Sequence, residues 1–124
     1  MKQQRPLSPH IQIYRMMFTM LMSMAHRVSG MALYLGSVVF ILFLVTLACS
    51  EGAFLALQGV LASLPAKIVL FLFSWALLHH ALGGVRHFIW DFGRGFGLVS
   101  IEWFARLTLI LSTLGNILLW VVVS

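Results

Sequence analysis

Residues 79–91 read HHALGGVRHFIWD: three histidines, an arginine and an aspartate in a chain that is only 9% charged. His80 and His87 are seven apart, two turns of a helix, and so share a face. Gly84 lies between them on that face and Gly83 is adjacent. Two glycines beside an imidazole leave a flat gap where a macrocycle could approach the backbone. Neutral imidazole is a good iron ligand, and haem iron is often held by His. His79 points about 100° away, which favours His80 as the ligand. Arg86, His87 and Asp91 fall at the membrane surface in this reading, Arg86 and Asp91 as interfacial anchors. Pattern alone leaves another reading open. Histidines near a helix end often make ordinary hydrogen bonds, and glycines in membrane helices often serve packing. A haem held by two histidines would also need a second one from another chain or helix, and His26 is the internal candidate.

A second group of polar residues is SMAHRVSG, residues 23–30. Ser23 and Arg27 are four apart and share a helical face. Polar groups within a membrane helix are costly and usually functional. A hydroxyl and a guanidinium together suit a carbonyl oxygen that becomes negative, such as the head group of a quinone under reduction. Arg27 also suits a haem propionate, since its fork matches a carboxylate. The competing reading has Arg27 snorkelling to lipid phosphates and Ser23 bonding back to its own helix.

The elements that must position these groups follow from composition. The 124 residues are 61% hydrophobic, with a mean hydropathy of +1.02. Soluble domains are about 45–50% apolar, so lipid must be the solvent for much of this chain. Three apolar runs are long enough to span: Val28–Ser50, Ile68–Val85 and Leu107–Ser124. A bilayer core of about 30 Å needs about 20 helical residues, and flanking residues such as Arg86 and Arg106 can snorkel to extend the shorter runs. Nothing alternates with period two, so a barrel is excluded. The sequence predicts an all-α membrane protein, one domain over 1–124. Its three transmembrane helices fall at about 18–49, 66–88 and 103–123. The link from Ser50 to Pro65 has turn signals at both ends and room for a short interfacial helix. The link from Asp91 to Glu102 carries Gly93, Gly95 and Gly97 and reads as a loop. His80 then lies about 20 Å along its helix from Lys67, inside the membrane.

The net charge of +5 comes from eight Lys/Arg and three Asp/Glu. The charges sit at the edges of apolar runs, with no basic stripe interleaved with aromatics, so nucleic acid is not an expected partner. Lys2, Arg5, Arg15, Arg27, Arg86, Arg94 and Arg106 mark one side of the membrane, and Lys67 alone marks the other. The positive-inside rule places the N-terminus and the loop at Arg94 in the cytoplasm and the C-terminus outside. The opening MKQQRPLSPH is expected to be neither a signal peptide nor a transit peptide. Cys49 is alone, so it forms no internal disulfide, and it reads as packing.

Three stretches, RPLSPHIQIY (Arg5–Tyr14), SMAHRVSG (Ser23–Gly30) and HHALGGVRHFIWDFGRG (His79–Gly95), occur in one order at one spacing. In this the chain resembles the cytochrome b subunit of succinate dehydrogenase, the larger membrane anchor of complex II. The resemblance covers nearly the whole chain, though the third helix contributes only hydropathy. It implies a haem b shared with a smaller membrane-anchor subunit, which supplies the second axial ligand, with His80 as the ligand from this chain. It implies that Ser23 and Arg27 bind ubiquinone, that Asp91 lies near the quinone pocket, and that His26 and Arg27 lie near the haem propionates. It also implies two further partners, a flavoprotein that oxidises succinate and an iron–sulfur subunit that passes electrons to the quinone. Such a chain catalyses nothing alone, and the haem is expected not to be obligatory for turnover. A bacterial inner membrane is the expected location, with the mitochondrial inner membrane as the alternative. The stretch YRMMFTMLMSM is richer in Met than the family pattern, which suits adaptable packing around the quinone.

Three rivals remain. A quinol:fumarate reductase anchor would run the same chemistry backward. A haem-free structural anchor would keep the helices but need neither His80 nor the Ser23–Arg27 pair. A transporter usually carries a membrane-embedded acid, and none of Glu51, Asp91 and Glu102 lies mid-span.

Overall fold

The computed structural model describes residues 13–123. Lys2, Arg5 and the Arg5–Gln12 part of the first motif lie outside the described residues. Four helices follow in order: α1 (Phe18–Cys49), α2 (Glu51–Leu61), α3 (Leu64–Asp91) and α4 (Leu98–Val123). No strand occurs among the described residues. α1, α3 and α4 are long and apolar enough to cross a membrane. The protein is therefore an all-α membrane protein.

Local chemistry sets the breaks. Ser50 turns extended after α1, and its hydroxyl oxygen accepts the Ala53 N–H at 3.3 Å, which caps α2. Glu51 sits in the first turn of α2, where a negative charge favours the helix dipole. α3 opens with Pro65 in its first turn, a position where no helical hydrogen bond is lost. Between α3 and α4, Gly93 and Gly95 take φ of 70° and 79°, a region costly for any side chain. The loop is shorter than the sequence suggests, because α4 starts at Leu98 and takes in Ser100 and Glu102. The Gly97 carbonyl accepts the Ile101 N–H at 3.0 Å, and Glu102 pairs with Arg106 one turn on at 2.5 Å. The glycine signal ends at Gly97, and nothing after it opposes a helix.

The three long helices pack mutually, with α3 against both α1 and α4. Apart from Met22 on α1, their inner faces hold small or polar residues at helical spacing: Ser29 on α1, Ala76, His79, Gly83 and Arg86 on α3, and Ala105, Thr108, Ser112 and Asn116 on α4. The large apolar side chains, such as Val28, Met31, Leu35, Leu72, Leu118 and Val122, point outward. This is the reverse of a soluble core. Lipid tails are as apolar as Leu, so burying Leu gains little, and close approach through small residues and interhelical hydrogen bonds holds the helices together.

Hydrogen bonds fix α3 on α4. The Ser74 hydroxyl donates to Asn116 Oδ1 at 2.7 Å, and Asn116 Nδ2 donates to the Phe71 carbonyl at 3.1 Å. Trp120 Nε1 donates to Ser74 at 3.0 Å, and Trp75 Nε1 to Thr113 at 3.2 Å. Asn116 is 0% exposed, so its amide has no water to fall back on. α3 also packs on α1, where Gly36 leaves the space that the Phe73 ring fills.

Candidate functional site

The ladder on α4 decides what each histidine of the adjacent pair does. His79 continues that ladder. It is 1% exposed, stacks on Trp75 with ring centroids 4.9 Å apart, and lies 3.4 Å by Nδ1 from the Ser112 hydroxyl. With His79 turned toward α4, its neighbour must turn toward α1, and His80 meets the SMAHRVSG stretch there.

His80 is held closely. Its Nδ1 lies 3.1 Å from the His26 carbonyl and 3.3 Å from the Ser29 hydroxyl oxygen. Its ring stacks on His26 at 4.1 Å with 6° between planes. A carbonyl only accepts, so His80 Nδ1 must carry the proton. The Ser29 proton is already donated to the same His26 carbonyl at 2.8 Å, so Ser29 too can only accept from His80. Both partners fix one tautomer, with N–H at Nδ1 and the lone pair at Nε2. That is how metal-binding imidazoles are generally arranged, the far nitrogen donating to a carbonyl or carboxylate.

Glycines make the closeness possible. A Cβ on Gly30 would come within 2.8 Å of His80 Cε1. A Cβ on Gly83 would overlap the His26 ring. Spacing along the helix assigns both glycines of the Gly83–Gly84 pair to a macrocycle. The structure divides them: His26 fills the space at Gly83, while Gly84 faces nothing within 4 Å.

His26 Nε2 is buried with no partner among the described residues. The His26 ring lies between His80 and His87, the latter 5.3 Å away by centroid. An unpartnered buried nitrogen next to an imidazole whose Nε2 carries a lone pair fits a haem with a carboxylate edge. His80 would hold the iron and His26 would face a propionate.

Ser23 is half-buried and Arg27 is exposed, both on α1, two turns and one turn nearer its start than Gly30. No described residue hydrogen-bonds the Ser23 hydroxyl. Ser29, Ser37, Ser63 and Ser112 all bond back to a carbonyl three residues earlier. The back-bonded alternative for Ser23 is thus not what the structure holds. Asp91 is exposed at the last residue of α3, at the same end of the bundle. No hydrogen bond among the described residues joins it to Ser23 or Arg27.

Arg86 departs from the sequence reading. Expected at the surface as an interfacial anchor, it is 6% exposed, on the inner face of α3 with His79 and Gly83. The reason is periodicity. It lies seven residues after His79, and a helix that buries one buries the other. Its guanidinium lies 5.0 Å from the Trp90 ring centroid, a cation–π contact. Ser29 is the other residue that sequence reasoning misses. Its signal is available: seven residues after Met22, it shares the inner face of α1.

Known proteins share this chain's pattern along its length. Residues 1–123 match the family model described as succinate dehydrogenase/fumarate reductase transmembrane subunit. The succinate dehydrogenase cytochrome b556 subunit of Paracoccus denitrificans is 41% identical, over 73% of this chain and 70% of that protein. The subunit of the same name from Rickettsia bellii is 33% identical, over 94% and 91%. The mitochondrial succinate dehydrogenase cytochrome b560 subunit of Sus scrofa is 36% identical, over 91% and 68%.

Proposed function

This chain belongs to the succinate dehydrogenase/fumarate reductase transmembrane-subunit family, and from that premise we propose that it is the haem-binding membrane anchor of a succinate:quinone oxidoreductase. One observation carries the haem part. The His26 carbonyl and Ser29 leave His80 a single tautomer, with Nε2 available to iron. His80 would hold the iron of a haem b together with a residue of the smaller anchor subunit. His26 and Arg27 would hold its propionates. When bound, the haem supplies a one-electron redox centre inside the membrane.

The quinone part rests on Ser23 and Arg27. The Ser23 hydroxyl orients a ubiquinone carbonyl. Arg27 stabilises the oxygen as it gains negative charge, and a fixed positive donor there acts without reorganisation. Asp91 lies near the quinone pocket at the membrane surface. The iron–sulfur subunit delivers two electrons to the quinone, two protons follow, and quinol leaves. A flavoprotein subunit oxidises succinate. The chain is not a catalyst by itself, and its part is half of an acceptor site. Positive charge near the start of α1 and around the α3–α4 loop supports a cytoplasmic N-terminus and a periplasmic C-terminus in a bacterial inner membrane.

The test is a visible spectrum of the gently purified complex, oxidised and then reduced. The expected result is a low-spin b-type spectrum, absent from an assembled His80→Ala variant. A variant that keeps the spectrum would remove His80 from the iron.

A further inference from the structure

We propose that Ser29 is a positioning residue for the haem ligand: it shares the His80 Nδ1–H with the His26 carbonyl and so sets the donor strength and plane of the imidazole offered to iron. This rests on the reading of His80 as an axial ligand. Ser29 is 4% exposed and lies on the inner face of α1. Exposed serines such as Ser37 and Ser63 make only the back-bond to the preceding turn. Ser29 makes that bond and also stands 3.3 Å from the ligand's far nitrogen.

The ring is bounded on several sides. His26 C=O and Ser29 Oγ meet its Nδ1 edge, the His26 ring stacks on it, and Gly30 lies too close for any side chain. One short stretch of α1, His26–Gly30, therefore forms a seat for a ligand that belongs to α3. Hydrogen bonding at the far nitrogen makes an imidazole a stronger donor, and hydrogen bonds around the axial ligands are one lever on haem potential. A stronger donor favours ferric iron. With two acceptors on one N–H, the seat holds the potential lower than the carbonyl alone would.

The experiment uses the whole complex with Ser29→Ala, Ser29→Thr and His80→Ala. It reads haem content, midpoint potential by redox titration, and the ferric low-spin EPR spectrum. Ser29→Ala is expected to keep its haem, shift the potential to more positive values and alter the EPR g-values. Ser29→Thr, which retains the hydroxyl, should restore both. Haem loss in Ser29→Ala that Ser29→Thr rescues would support the seat as well. Ser29→Ala with haem, potential and g-values all unchanged would overturn the proposal while leaving His80 as the ligand. Haem loss that Ser29→Thr does not rescue would overturn it too, since the residue would then serve packing. A wild-type spectrum in His80→Ala would instead sink the reading beneath it.

Discussion

His79 and His80 are adjacent and chemically identical, yet the structure gives them opposite surroundings. His79 is enclosed by Trp75 and Ser112, while His80 presents one nitrogen to α1. Replacing His79 by Leu should therefore leave the b-type spectrum in place and lower the thermal stability of the detergent-solubilised complex. Ser112 keeps its bond to the Leu109 carbonyl, so the cost is the lost interhelical contact with His79, about 0.6 kcal/mol, and the Trp75 stack. A lost spectrum with unchanged stability would reverse the assignment. Arg27→Ala should lower quinone reduction by about 100-fold, the usual cost of removing a fixed donor to a developing oxyanion. Succinate oxidation by a water-soluble acceptor, which bypasses the anchor, should not change. Equal loss in both assays would mean damaged assembly. Ser23→Ala should act in the same assay and direction, but less, because a neutral hydroxyl is a weaker partner than a guanidinium.

At the scale of elements, α3 carries the architecture, since its contacts with α1 and with α4 are more extensive than those between α1 and α4. Its bond to α4 centres on Asn116, which joins Ser74 and the Phe71 carbonyl with no exposure. Asn116→Leu removes both bonds, and the Ser74 hydroxyl is left with the Phe71 carbonyl and Trp120 as its partners. Interhelical hydrogen bonds in membranes average about 0.6 kcal/mol and reach about 1.7. A loss of about 1–3 kcal/mol is expected from two such bonds, read as a lower melting temperature of the complex in detergent. An unchanged melting curve would mean that sister-subunit contacts, and not this ladder, hold α4. On the other side, Gly36→Ala should push α1 and α3 apart, because the added methyl would overlap the Phe73 ring. The effect should spread down the seam to the His26–His80 stack and appear as weakened haem retention. Full haem retention would show that the seam can open locally without moving the stack.

At the scale of the whole molecule, the polar residues lie inside and the apolar ones outside, which is a solution only in lipid. Orientation follows from where the cations fall, and it can be measured. In a Cys49→Ala background, Gly52→Cys in α2 should react with a membrane-impermeant thiol reagent applied to right-side-out vesicles. Phe96→Cys, in the α3–α4 loop, should react only when the vesicles are opened. The opposite pattern would invert the topology, and with it the side from which electrons reach Ser23 and Arg27.

Hydropathy determined the number and class of the long helices, because a span needs only about 20 apolar residues and no partner to define it. Helical spacing likewise placed Ser23 with Arg27 and His80 with His87, since period alone decides which side chains share a face. Glycine marked the α3–α4 turn, although not where α4 resumes, because Leu98–Glu102 is compatible with loop or helix until Gly97 and Arg106 supply partners. Tertiary structure decided the rest. Which of two neighbouring histidines is enclosed depends on where α4 lies, and α4 has little sequence signal beyond its apolarity. Arg86 looked like a surface cation because charge pattern is read along the chain, while burial is set across it. The tautomer of His80 depends on a hydroxyl and a carbonyl 51 and 54 residues away in sequence. No local pattern could supply that, because contact between α1 and α3 exists only once the bundle has closed.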